Sequence, residues 1–172
     1  MRIRFLITLL FAFHLFTGCK EIKQEELSPE ITVEIAGETE LKKLISERNG
    51  KFLFLNIWAT WCVPCVEEFP ALVKLADKYR NSEIEFIGLS IDYVEDKEQK
   101  VIPFLKKQNV NFTNFINGFK KDEQLINFIS EDWNGAVPLT VIYNNVGKQL
   151  LRLEGAHSFE EFSQKIDSLL NE

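Results

Sequence analysis

The 172-residue sequence predicts an α/β domain on a mixed sheet, and three features carry that prediction. Two nearly continuous apolar runs, Phe52–Trp58 (FLFLNIW) and Ile84–Ile91 (IEFIGLSI), read as strands buried on both faces. Apolar residues at helical spacing follow each of them. Beyond Pro138 the pattern changes to two alternating strands, Leu139–Tyr143 and Gln149–Glu154. These are joined by Asn144-Asn145-Val146-Gly147, a hairpin turn signal. The order β-α-β-α followed by β-β-α describes one domain, and the chain is hardly long enough for two.

The first residues, MRIRFLITLLFAFHLFTGC, place Arg2 and Arg4 before an apolar run from Phe5 to Phe16, and Thr17 and Gly18 before Cys19. That run is shorter than the roughly twenty residues a spanning helix needs, so the layout is that of an export signal. It resembles a bacterial lipoprotein signal, whose cleavage before the cysteine would leave Cys19 lipid-modified. Phe16 departs from the aliphatic residue preferred at its place, and an uncleaved anchor is the alternative. Residues 1–18 are accordingly expected to be the signal peptide, 19–30 a polar tether closed by Ser28-Pro29, and 31–172 the folded domain. Loss of Arg2 and Arg4 leaves 18 basic against 26 acidic side chains, a net charge of −8. No basic stripe suggests nucleic acid, and the balance says little beyond solubility.

Within the domain, Leu41, Leu44 and Ile45 fit one helical face, stopped by Asn49-Gly50. A second helix follows Cys62 through Leu72, Leu75 and Tyr79, and Pro70 inside it predicts a kink. Asp96 to Gln108 looks helical with Asp96 as cap, although Pro103 calls for a break or a late start there. Phe112–Ile116 reads as a short strand, and Asp122 as the cap of a helix carrying Leu125, Phe128 and Ile129. Ser158 and Glu161 form a capping box for a last helix, with Phe159, Phe162, Ile166, Leu169 and Leu170 on its apolar face.

The chemistry concentrates in Ala59-Thr60-Trp61-Cys62-Val63-Pro64-Cys65. A structural zinc site needs four ligands, and beyond the signal segment the chain offers only His157 besides this pair. A structural disulfide across two residues closes so small a loop that it removes little entropy from the unfolded chain. A redox pair uses the local sequence better. Cys62 opens a helix after a buried strand, and a helix N-terminus stabilises a thiolate. Cys65, one turn inside, is placed to attack a mixed disulfide at Cys62.

These residues resemble the active site of the thioredoxin superfamily. The wider run Leu55 to Pro70, with Gly88-Leu89-Ser90-Ile91-Asp92 and Val137-Pro138-Leu139-Thr140, is similar to the TlpA/ResA type of membrane-anchored thiol–disulfide oxidoreductases. The resemblance implies a thioredoxin-like fold, with Lys97 to Asn127 supplying an inserted strand and helix before a cis-proline at Pro138. It implies Cys62 as nucleophile and Cys65 as resolving thiol. Val137 would offer its backbone to a substrate strand, and Trp61, Val63 and Pro64 would shape the substrate surface. Asn56 stands where thioredoxin has a buried aspartate. Glu68 matches an acidic residue near the site, either a buried acid–base group or a solvated glutamate in a first helical turn. Trp58 is expected in the core, and His157 in a loop before the last helix.

The implied function is reduction of disulfides in envelope proteins, including apocytochrome c, without a cofactor or metal and with a membrane electron donor for re-reduction. Val63-Pro64 places no cation between the cysteines, which favours the reducing direction. A peroxiredoxin-like thiol peroxidase is the enzymatic alternative, but that chemistry usually has a Thr and a Pro shortly before its cysteine and no tryptophan directly in front, which Ala59-Thr60-Trp61-Cys62 does not fit. A non-catalytic tethered binding module is the third.

Overall fold

A computed structural model describes residues 30–171, in which six strands form one sheet and five α-helices cover it. The signal, Cys19 and the tether up to Pro29 lie outside the described residues. In chain order the elements are β1 (Val33–Ala36), α1 (Glu38–Ser46), β2 (Phe52–Trp58), α2 (Val63–Lys78), β3 (Ile84–Ser90), α3 (Ile102–Lys107), β4 (Thr113–Asn117), α4 (Asp122–Ile129), β5 (Leu139–Tyr143), β6 (Gln149–Glu154) and α5 (Phe159–Leu170). The sheet order is β1-β4-β3-β2-β5-β6. The pairs β1–β4, β4–β3 and β3–β2 are parallel, whereas β5 runs antiparallel to both β2 and β6.

Because side chains alternate along a strand, β2 feeds two cores. Phe54 and Trp58 join Phe69 and Leu72 of α2 and Phe162 and Ile166 of α5 on one face. Leu53, Leu55 and Ile57 meet Leu41 of α1 and Leu125 and Ile129 of α4 on the other. That double burial explains why the run reads as continuously apolar.

The expected strands and helices form close to their predicted limits. β5 and β6 begin and end as read, and the Ser158–Glu161 capping box is made. The turn that follows α1 holds Asn49 at φ 48° and Gly50 at φ 84°, in the left-handed region that favours such residues. Pro70 lies inside α2, which continues past it to Lys78.

Two caps differ from expectation. Asp96 makes no side-chain cap; its carboxylate instead pairs with Lys100 Nζ at 3.0 Å. Lys97–Val101 winds as a single π-helical stretch, and α3 starts only at Ile102. Pro103 thereby falls in the first turn, where a missing N–H costs nothing. Asp122 is the first residue of α4 rather than its cap, which is Lys121.

β1 was not foreseen. Its buried residues are Val33 and Ala36, with Glu34 and Ile35 exposed between them, so neither period is visible over its four residues. It is an edge strand paired only with β4. α3 and β4 form the insertion, and β4 is threaded into the sheet between β1 and β3.

Candidate active site

β2 delivers the chain to a short loop, Ala59–Trp61, and Cys62 becomes the N-cap of α2. Its backbone is extended (φ −87°, ψ 103°), and its sulfur accepts the N–H of Cys65 at 3.2 Å. Cys62 and Cys65 form a disulfide with their Cα atoms 5.3 Å apart. Cys65 is fully buried and Cys62 is 5% exposed, whereas Trp61 and Val63 are 65% and 67% exposed around them. Pro64 occupies the first turn of the helix, where its fixed φ suits the start and its missing N–H is not needed.

The loop that presents the pair is tied to the end of β3. Asp92 is buried, and its carboxylate accepts the backbone N–H of Thr60 at 2.9 Å, the Thr60 hydroxyl, and the Ser90 hydroxyl at 2.7 Å. Sequence reasoning gave Asp92 no role. Its place at the end of the family-like stretch Gly88–Asp92 was the only signal.

The Val137–Pro138 bond is cis. The Val137 carbonyl oxygen lies 3.5 Å from Cys62 Sγ, where it would accept from a thiol at Cys62. Pro138 leads into β5, which pairs with β2, so the two sequence-distant segments meet at one end of the sheet.

Glu68 lies three residues after Cys65 in α2, on the same side of the helix. It is 3% exposed, so it is not the solvated glutamate of a first turn. Oε1 accepts the backbone N–H of His157 at 2.9 Å, and Oε2 accepts from Asn56 Nδ2 at 3.1 Å. Burial pushes its pKa up from 4.5 to about 7, against the lowering effect of those two donors. Asn56 is itself buried and also donates to Thr140 Oγ1 at 3.0 Å, while its Oδ1 has no partner among the described residues. His157 is a loop residue, as read, but its backbone supports Glu68 and its ring packs 5.4 Å from that of Phe162. No local pattern announces that contact.

Trp58 is fully buried, and its indole N–H donates to Asn114 Oδ1 at 3.2 Å. Trp61 instead lines a surface pocket of about 340 Å³ with Ile91, Tyr93, Asp122 and Trp133. The pocket opens at the carboxyl ends of the parallel strands, the usual place for ligands in such sheets. Among the described residues, no helix is long and apolar enough to cross a membrane.

A redox-capable cysteine pair on a helix leaving the central strand, at the end where the Val137–Pro138 loop returns, places this structure in the thioredoxin superfamily. The chain belongs to the Redoxin family, which residues 23–129 match, and is a thiol–disulfide oxidoreductase of the TlpA/ResA type. It is similar to thiol-disulfide oxidoreductase ResA of Bacillus cereus, 29% identical over 159 residues, covering 90% of this chain and 87% of that one. It also resembles thioredoxin-like protein YneN of Bacillus subtilis, 28% identical over 148 residues, with 85% and 80% covered. Its fold is shared with a thiol:disulfide interchange protein of Chlorobium tepidum TLS (TM-score 0.60, 21% identity, 72% and 82% covered).

Proposed function

We propose that the chain reduces disulfides of partner proteins outside the cytoplasm by a dithiol–disulfide cycle on Cys62 and Cys65. The observation that carries this reading is the asymmetry of the pair. Cys62 Sγ sits at the start of α2 and receives the Cys65 N–H, while Cys65 is wholly buried behind it. In the dithiol form the Cys62 thiolate attacks a client disulfide, and one client sulfur leaves as a thiolate and takes up a proton. Cys65 then loses its proton and attacks Cys62 Sγ, which closes the internal disulfide and frees the second client thiol. Two electrons pass from the chain to the client. Glu68 is the acceptor for the Cys65 proton, since it lies one turn along the same helix and its buried carboxyl titrates near neutrality.

Trp61, Val63 and Pro64 form the client-facing surface, and the Val137 backbone pairs with the client's extended segment. The reducing direction is supported by the absence of a cation between the cysteines, so that the helix end alone stabilises the Cys62 thiolate. A lipid on Cys19, with the polar tether behind it, would hold domain 31–172 on the extracytoplasmic face of a membrane. A membrane electron donor would return the pair to the dithiol. Disulfide-containing envelope proteins, with apocytochrome c among them, are the client class that the TlpA/ResA resemblance suggests.

The test is the reduction potential of the purified protein, equilibrated against defined thiol–disulfide buffers. A value of about −250 mV or lower is expected, and one near roughly −120 mV would reverse the direction of electron flow.

A further inference from the structure

Seven large apolar side chains are exposed among the described residues, and four of them, Trp61, Val63, Tyr93 and Val94, stand on the segments that follow β2 and β3. That concentration at the disulfide end marks a contact surface rather than scattered exposure. The pocket of about 340 Å³ is cut into it, with Trp61, Tyr93 and Trp133 among its lining residues. Trp133 is held in place, being buried and donating its indole N–H to the Ala136 carbonyl at 2.9 Å.

The chemistry of the lining selects an occupant. Asp122 is its one charged residue, and Lys120 and Lys121, its neighbours in sequence, are not part of it. Aromatic rings attract cations, and a carboxylate adds a charge-assisted hydrogen bond. A purely apolar side chain would cover the Asp122 carboxylate without giving it a partner, which is costly, and an acidic one would meet Asp122 directly. Trp61 ties the pocket to the reacting sulfur, because it precedes Cys62 in the chain.

We propose that this pocket is a specificity subsite for a basic side chain, arginine or lysine, that lies close in sequence to the client's reactive cysteine. The proposal rests on the reading of Cys62 as the attacking thiol. The subsite acts before electron transfer, so it governs which disulfide reaches Cys62 and not the direction of the exchange.

The test is therefore the capture step alone. In the Cys65→Ser protein, Cys62 attacks a peptide whose cysteine is disulfide-linked to thionitrobenzoate. The mixed disulfide forms, and thionitrobenzoate leaves as a coloured thiolate. The Cys62→Ser/Cys65→Ser protein is the blank for Cys19. Three peptide series carry arginine, leucine or glutamate at each position flanking the cysteine.

Capture of the best arginine peptide is expected roughly tenfold faster than of its glutamate counterpart, with leucine between. Adding Asp122→Lys should invert the arginine–glutamate order, and Asp122→Asn should narrow it, which a merely structural role for Asp122 would not do. Leucine peptides as fast as arginine ones, or a preference that Asp122→Lys leaves in place, would overturn the subsite while Cys62 remains the nucleophile. Capture no faster than the blank for every peptide would overturn both readings.

Discussion

Glu68 is where a single residue decides a measurable property. Its carboxyl keeps its proton to higher pH in the folded protein, with a pKa of about 7 against an ordinary value of 4.5. The folded state thus holds a proton that the unfolded chain has lost over that range. The associated stability is fully present below about pH 4.5 and is lost as pH rises through about 7. The span corresponds to on the order of 3 kcal/mol. Glu68→Gln is expected to remove this dependence, so the urea midpoint of the variant should gain on that of the wild type between about pH 4.5 and 8. Parallel midpoints across that interval would show that Glu68 titrates normally. The sequence placed Glu68 near the cysteines but left its environment undecided. A glutamate early in a helix is usually solvated, and what buries this one is Asn56 twelve positions earlier and His157 eighty-nine positions later.

At the scale of elements, Arg48 links the end of α1 to β2 and β3. Its guanidinium is almost completely buried and donates to the Leu44 carbonyl at the end of α1 (2.6 Å) and to the Phe52 carbonyl at the start of β2 (3.2 Å). It also donates to Glu85 Oε2 of β3 at 2.7 Å. Glu85 is 44% exposed, so the ion pair itself adds little, and the carbonyl contacts carry the effect. Arg48→Ala is expected to cost about 2–3 kcal/mol in urea unfolding, from the loss of hydrogen bonds to a charged donor. Arg48→Met, which keeps the packed stem, should recover only the packing part. A loss below about 0.5 kcal/mol, the size of an ordinary surface change, would show that water replaces the guanidinium freely. Helix and strand limits were legible here from periodicity. The buried arginine was not, because long cationic side chains are usually solvated.

At the scale of the molecule, Gly88 makes room where the inserted β4 joins β3. Gly88 of β3 faces Asn114 of β4 in register, and Asn114 accepts the indole N–H of Trp58 from β2. A Cβ at Gly88 would collide with Asn114 Oδ1 and stand 3.1 Å from Trp58 Nε1. The backbone there is not left-handed, so the requirement is for space alone. Gly88→Ala is expected to destabilise the protein by about 1–3 kcal/mol through overpacking. It should also alter the near-ultraviolet signal of the displaced tryptophan. Full stability with an unchanged tryptophan signal would mean that β4 shifts away at no cost.

The sequence by itself determined the two buried strands, the hairpin, the capped last helix and the position of the cysteine pair at a helix start. Each of these is written in a period, a turn or a spacing confined to a few neighbouring residues. Only the tertiary structure decided that Glu68 is buried, that Asp92 holds the loop before Cys62, that Val33–Ala36 adds an edge strand, and that Trp61, Tyr93, Asp122 and Trp133 share one pocket. The physical reason is common to all four. Burial, hydrogen-bond partnership and strand pairing arise where segments far apart in the chain converge, and no local pattern records which segments those will be.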